Sequence, residues 1–583
     1  MHRTRSGAIL ISAAMAASSL AVGSSPVQGS AGTTTYLVLA SDAASVDAAI
    51  AAVQAAGGQV DRVNTAIGLI TVTADAASFQ GAVSSDADVA GVARNTPIGS
   101  VPADATNRRD AVEREGRGTG EANAAAASGR HDDDDEGDHK GDRHKAAEPL
   151  AGLQWDMQMI DATPEGSYDE QRGRREVLVG IIDTGIDGSH PDIARNFNRK
   201  LSRNFTVDIP LVDGPCEEET DQSCDDPADV DDNGHGTHVA GTVAAPINGI
   251  GMAGVAPNVT LVNLRAGQDS GYFFLGETVD ALTYAGDNGI DVVNMSYFTD
   301  PWLYNCRTNP ADSAAEQAEQ ATIIDATQRA LDYARKHGVT LVAALGNQHQ
   351  DLGAALKTDA ISPDFPPGAE RVREVTNDCL TVPTESDGVI GVSAVGPSTK
   401  KADFSNHGLE QNDVSAPGGF FRDFIDDPLL NRKPETQILG PYPKNVALAD
   451  GTVDPVTGAS LTPFVIAQCS SPSIDDCDYW QLIQGTSMAA PHAVGVAALI
   501  VSEFGKGQRH GRGRTMSPAK VERVLLRSAT DVACPSPVIS YAAEGRDASY
   551  DAPCIGTPER NSIYGDGIVN ALAAVEHGRG HDD

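Results

Sequence analysis

"QGTSMAAPHAVGVAALI", residues 484–500, is the stretch on which the reading of the chain turns. Gly485 and Thr486 lead into Ser487, and a long run of small and apolar residues follows. A helix of that composition is apolar all round and belongs in a core, yet it opens on a hydroxyl. A serine at such a place is either a helix N-cap or a nucleophile. A serine alcohol is nearly inert at its own pKa. To act as a nucleophile it needs an imidazole to take its proton and a carboxylate to hold that imidazole in the right tautomer. The rest of the chain must therefore supply a histidine and an aspartate at comparable places.

Outward from this stretch, the pattern after Pro149 is that of an α/β domain. "VLVGIID" (177–183), "VTLVNLRA" (259–266), "DVVNMS" (291–296), "VTLVAALGN" (339–347) and "VIGVSAV" (389–395) are short, continuous and rich in β-branched residues. Strands of a parallel sheet buried on both faces read this way. Residues 277–285 and 311–337 read as helices, the second ending "ARKHG" with basic residues in its last turn and Gly338 as a left-handed cap. The prediction is a three-layer α/β fold with a mostly parallel central sheet. Chemistry in such sheets gathers at the carboxyl ends of the strands. Asp183 closes the first of them, and "DDNGHGTHVAGTVAAP" (231–246) sets His235 between two glycines at the start of a small-residue helix. His238 completes an HxxH pair, but no acidic residue follows at zinc-site spacing. It reads as a packed, hydrogen-bonding histidine.

"GIIDTGID" (180–187), "NGHGTHVAG" (233–241) and "GTSMAAPH" (485–492), in the chain order Asp, His, Ser, resemble the three catalytic motifs of the subtilisin family of serine endopeptidases. The resemblance implies that Asp183 orients the imidazole, His235 is the general base and Ser487 the nucleophile. "ALGNQ" (344–348) places Asn347 at the family's oxyanion-hole asparagine. "NMSYF" (294–298) resembles one strand of the substrate cleft beside Ser296, and "DSGYF" (269–273) the opposite strand near Gly271. Substrate would then bind as an added strand, read mainly through its backbone. "YGDGIVNALAAV" (564–575) fits the family's closing segment, so the catalytic domain is expected over 149–576, with 577–583 as a tail. The chemistry calls for no cofactor. A structural calcium is implied by "APINGIGMAGVAP" (245–257), which resembles the family's calcium loop with Asn248 and Asp192 at the ligand positions. The alternative, a non-catalytic peptide-binding protein on the same scaffold, has the complete set Asp183, His235, Ser487 and Asn347 against it.

Three departures stand out. The family usually has glycine two residues after the cleft-strand serine, where this chain has Phe298, a residue bulky enough to reshape the primary specificity pocket. The gaps between Asp183 and His235 and between Asn347 and Ser487 look longer than in compact members. Residues 420–480 carry no readable pattern.

Ahead of this domain, "MHRTRSGAILISAAMAASSLAVGSSPVQGSAG" combines two early arginines, an apolar stretch and small residues. It predicts a secretory signal peptide over 1–31. Residues 32–98 read as a βαββαβ unit that resembles the family's propeptide, an intramolecular chaperone and inhibitor. Between 99 and 148 the apolar pattern vanishes, and "HDDDDEGDHKGDRHK" (131–145) holds acidic residues, basic residues and histidines with nothing to build a core. It predicts a disordered acidic linker.

The net charge of −38, from 43 basic against 81 acidic residues among 583, argues against nucleic-acid and anionic-membrane partners. Eight cysteines in an exported chain point to disulfides. They allow 105 connectivities, among which the local pairs Cys216–Cys224, Cys469–Cys477 and Cys534–Cys554 are preferred, leaving Cys306 with Cys379. The expectation is a secreted, monomeric serine endopeptidase made as a self-processing zymogen, acting on polypeptides and held by its own propeptide.

Overall fold

The structure is a computed structural model and describes residues 33–42, 44–75, 78–94, 112–113, 148–216, 222–427, 429–507 and 514–577. The expected signal peptide, nearly all of the linker and residues 578–583 lie outside the described residues.

From Thr33 to Arg94 the elements run β1 (Thr33–Ala40), α1 (Val46–Ala55), β2 (Gln59–Asn64), β3 (Leu69–Asp75), α2 (Phe79–Val83) and β4 (Val89–Arg94), the expected βαββαβ order. The four strands form an antiparallel sheet in the order β2-β3-β1-β4. The period of two along β1 sorts its side chains. Tyr36, Val38 and Ala40 pack with Ala49, Val53 and Phe79 of the two helices. Leu37 and Leu39 turn the other way, into the larger domain.

The larger domain begins with short helices α3 (Trp155–Met159) and α4 (Ser167–Glu170), then β5 (Leu178–Ile182), α5 (Pro191–Ala194), β6 (Arg203–Asn204), α6 (His235–Ala244), β7 (Thr260–Arg265), α7 (Leu275–Asp287), β8 (Val292–Met295), α8 (Ala314–Lys336) and β9 (Thr340–Ala344). A hairpin follows, β10 (Leu356–Asp359) and β11 (Arg373–Thr376), then β12 (Val389–Val395) and β13 (Val414–Pro417). Seven of these strands form one sheet in the order β13-β12-β9-β8-β5-β7-β6, with every pairing parallel. β7, β8, β9 and β12 are buried along their whole length, which is why they read as largely apolar runs, interrupted only by buried polar residues such as Asn263, Arg265, Asn294 and Ser393. Helix α10 (Thr486–Phe504) and α6 cover one face; α7 and α8 cover the other. Among the described residues α10 is the one helix long and apolar enough to cross a membrane, and it is a core helix, buried from Thr486 to Ser502. Helix α8 starts on a capping box, Ser313 with Glu316, and stops at Gly338, whose φ of +100° suits the left-handed cap.

The N-terminal unit docks on α7 and α8. Leu37, Leu39, Ile67 and Leu69 join the apolar cluster of these helices, and Arg62–Asp280 (2.6 Å) and Arg94–Glu319 (2.9 Å) flank it. Gly91 lies at the closest approach, where a Cβ would come within 2.3 Å of Thr322 Oγ1.

Residues 420–480, unreadable in sequence, contain β14 (Ile438–Tyr442), α9 (Lys444–Ala449) and β15 (Val465–Cys469), and β16 (Cys477–Ile483) follows. The strands form an antiparallel sheet in the order β14-β16-β15. The cysteines pair 216–224, 306–379, 469–477 and 534–554. In the third pair, Cys469 and Cys477 face each other across β15 and β16.

Candidate active site

β5 is flanked by β7 on one side and β8 on the other. The chain order reverses across it, so the crevice beyond its carboxyl end is the place where a doubly wound sheet binds ligands. Asp183 follows the last residue of β5 and is fully buried. Its Oδ1 accepts from His235 Nδ1 at 2.6 Å and from the Thr184 N–H at 2.8 Å. His235 opens α6, and the next residue lets that helix touch the strand end: a Cβ on Gly236 would lie 2.1 Å from the Gly185 carbonyl oxygen. Asp231, a residue that sequence reasoning passes over, organises the turn before His235. It accepts from the Gly234 N–H (2.9 Å), from the Thr184 hydroxyl (3.1 Å), and from both N–H (3.0 Å) and hydroxyl (2.5 Å) of Thr237. His238 has no such role. It is buried and bonds the Ile438 carbonyl at 3.1 Å.

Ser487 is the second residue of α10, in the same cleft as His235. Pro491 stands four residues on, inside the helix, and has no N–H to give the Ser487 carbonyl. The Ser296 hydroxyl takes that place, donating to Ser487 O at 3.0 Å, and accepts in turn from Asn294 Nδ2 at 3.0 Å. Ser296 therefore does more than line the cleft: its side chain supports the backbone of the candidate nucleophile. The Ser487 hydroxyl itself donates weakly to Ser296 O at 3.5 Å.

Asn347 lines the cleft beside Ser487. Its Oδ1 accepts from Thr486 N–H and from the Thr486 hydroxyl, both at 2.9 Å, and that hydroxyl accepts from the Gly346 N–H at 3.0 Å. With Oδ1 so engaged, Nδ2 is the group left to donate. The arrangement can hold an oxyanion between Asn347 Nδ2 and the backbone N–H of Ser487. The cleft has a volume of about 570 Å³ and is lined by Gly271, Ser296 and Phe298 among others. Gly271 and Ser296 thus come together as the sequence placed them. Phe298 also packs on the cluster of Leu303, Leu345 and Leu352.

A residue from the linker enters this cleft. Glu113 Oε1 lies 3.6 Å from His235 Nε2. Burial works against a charged imidazole, but the Asp183 and Glu113 carboxylates outweigh it and hold the His235 pKa well above its usual range.

The expected calcium position is built differently from an ion site. Asp192 Oδ2 accepts from Trp480 Nε1 (2.8 Å) and the Met252 N–H (3.0 Å), and Oδ1 from Asn248 Nδ2 (3.2 Å). Asn248 Oδ1 accepts from the Ile250 N–H at 2.8 Å, which fixes the amide with its nitrogen toward Asp192. Calcium requires converging oxygens, whereas the groups that converge on Asp192 are N–H donors. Asp192 and Asn248 meet as expected, but in this arrangement they do not fit the ion. The far end of the linker is tied to the same loop: Glu148 Oε2 accepts from the Gly249 N–H at 2.8 Å, and Leu150 N–H donates to Gly251 O at 2.8 Å.

Comparison with known proteins agrees with this architecture. The subtilase family profile matches residues 174–565. Subtilisin DY of Bacillus licheniformis is 28% identical over 400 residues, which cover 69% of this chain and 91% of that protein. The major intracellular serine protease of Bacillus subtilis is 30% identical over 354 residues, 60% of this chain and 76% of its own length. The solved structure of the epidermin leader peptide processing serine protease of Staphylococcus aureus shares the fold, with a TM-score of 0.57 at 19% identity over 95% of this chain and all of the other. With most of the chain inside the matching region, and with named serine proteases aligned along it, the protein belongs to the subtilase family and is a subtilisin-like serine endopeptidase.

Proposed function

We propose that the protein is a secreted, monomeric zymogen that hydrolyses peptide bonds through Asp183, His235 and Ser487. The observation that carries the reading is the 2.6 Å bond between Asp183 Oδ1 and His235 Nδ1 at the switch point of the sheet, in the cleft that also holds Ser487. Asp183 keeps the proton on Nδ1, so that Nε2 is the basic edge of a neutral ring. His235 Nε2 takes the Ser487 proton as Oγ attacks the scissile carbonyl, then passes it to the leaving amine. Asn347 Nδ2 and the Ser487 N–H hold the oxyanion. Water, deprotonated by the same imidazole, releases the acyl group. No step calls for a cofactor.

The N-terminal unit is proposed as an intramolecular inhibitor, freed by a cut that the enzyme makes in its own linker. Four disulfides and the early apolar stretch support export. Ser487→Ala tests the reading. The variant is expected to fold, to resist labelling by a fluorophosphonate and to accumulate with residues 32–148 attached, while the wild type labels and shortens. Normal shortening of the alanine variant in a host without other extracellular proteases would remove self-processing. A wild type that neither labels nor cleaves any peptide would point instead to a peptide-binding protein on the same scaffold.

A further inference from the structure

We propose that Glu113 is an internal inhibitor residue whose carboxylate occupies the proton-accepting edge of the His235 imidazole and keeps Ser487 from being activated while its segment stays in the cleft. The inference rests on the reading of His235 as general base to Ser487.

Of residues 95–147 only Val112 and Glu113 are described, and both lie in the cleft. Gln484, three residues before Ser487, clamps them through the backbone. Its Nε2 donates to Val112 O at 3.0 Å, and its N–H donates to Glu113 O at 3.5 Å. Gly485 leaves room for the side chain: a Cβ there would come within 3.2 Å of Glu113 Cγ and Oε1. Glu113 is 9% exposed, a low value for a carboxylate, which is rarely buried unpaired. Its partner is His235 Nε2, 3.6 Å away. Among the described residues lining the cleft there is no lysine or arginine, so the imidazolium is the cation available to it.

The ring is thus bracketed by carboxylates, Asp183 at Nδ1 and Glu113 at Nε2. Both favour the doubly protonated ring over the neutral one. An imidazolium has no lone pair with which to accept the Ser487 proton, and a serine that keeps its proton does not attack. The direction of the Ser487 hydroxyl agrees, since it donates to Ser296 O. None of residues 33–94 lines the cleft. The docked domain holds α7 and α8, and the linker residue reaches the catalytic centre.

The test measures fluorophosphonate labelling of Ser487 in freshly folded full-length protein, before it shortens, comparing wild type with Glu113→Gln. Glutamine keeps the size and the backbone clamp but removes the charge. The expected result is labelling at least tenfold faster in the glutamine variant, at an unchanged melting temperature. Equal rates would overturn the role of Glu113 and leave the triad standing. Failure of both proteins to label would overturn the triad reading, and this inference with it. A second measurement uses the uncut Ser487→Ala chain with 15N-labelled histidine. Adding Glu113→Gln should lower the apparent pKa of the His235 ring, and an unmoved titration would also overturn the proposal.

Discussion

Thr486 holds the candidate oxyanion donor in place, and Thr486→Val perturbs that arrangement without touching Ser487. In the native site Asn347 Oδ1 accepts two bonds from Thr486, one from its N–H and one from its hydroxyl. Valine nearly matches threonine in volume, keeps the first bond, removes the second and leaves the Gly346 N–H without its hydroxyl acceptor. A net hydrogen bond is worth about 0.5–1.5 kcal/mol. One lost anchor should therefore weaken oxyanion stabilisation by about 1 kcal/mol, roughly a fivefold fall in kcat. Asn347→Ala removes the donor itself and should lower kcat by about 10²–10³, a range known from subtilisin. Because Thr486 acts through Asn347, the two losses should not add, and the double variant should turn over no more slowly than Asn347→Ala alone. The assay is kcat on a chromogenic peptide at saturation for all four proteins, with melting temperatures to show that each is folded. If Thr486→Val costs the same factor with and without Asn347, the coupling is absent and the reasoning fails.

Four other perturbations follow from the packing. Burial pushes Asp291 up to about 8 against a single donor to its carboxylate, the Leu178 N–H at 2.9 Å. A carboxyl with a folded pKa above its unfolded value of about 4 contributes most at low pH. Its contribution falls as pH rises from about 4 to about 8, so Asp291→Asn should gain on the wild type over that window, by up to a few kcal/mol. A difference in denaturation midpoint that does not change with pH would contradict this. Calcium chelation should leave the melting temperature where it is, whereas Trp480→Ala should cost about 3–5 kcal/mol by emptying the fully buried indole site against Asp192; a large drop with chelator alone would restore the ion. Phe298→Gly should broaden acceptance of large side chains on the acyl side of the cut bond, and an unchanged peptide-library profile would take Phe298 out of the specificity pocket.

Asp183, His235, Ser487 and Asn347 could be picked out in the sequence because each sits where an apolar run breaks among glycines, and because the breaks recur in a known order. Five of the seven parallel strands were equally plain, since burial on both faces favours apolar residues, whereas β6 and β13 went unread because two and four residues are too short to show a pattern. Asp231 and Thr486 were not, because their roles are hydrogen bonds made across tertiary contacts that no spacing encodes. Trp480 was invisible for the same reason. It reaches Asp192 from 288 residues away, so the local motif of the loop carries no sign of what fills its centre. The β14–β16 sheet escaped because β14, "ILGPY", carries Gly440 and Pro441 where a strand pattern wants alternation. Gly440 is there for contact: a Cβ would come within 2.3 Å of His238.

Glu148 is pinned to the Gly249 loop while Val112 and Glu113 sit in the cleft, so the inhibitory stretch is tethered from both ends. Residues 95–111 join it to the docked N-terminal unit, and residues 114–147 join it to the catalytic domain. One cut therefore does not dilute it. A break before Val112 leaves Glu113 covalently attached to the catalytic domain, so its return to the cleft stays intramolecular and is not diluted. A break after Glu113 leaves the stretch attached to a unit that is still bound through Leu37, Leu39 and the Arg62–Asp280 and Arg94–Glu319 pairs. Full release then takes either a second cut or loss of the docked unit. Activity should consequently lag behind the first cleavage, with the interval set by how long the severed piece remains in residence.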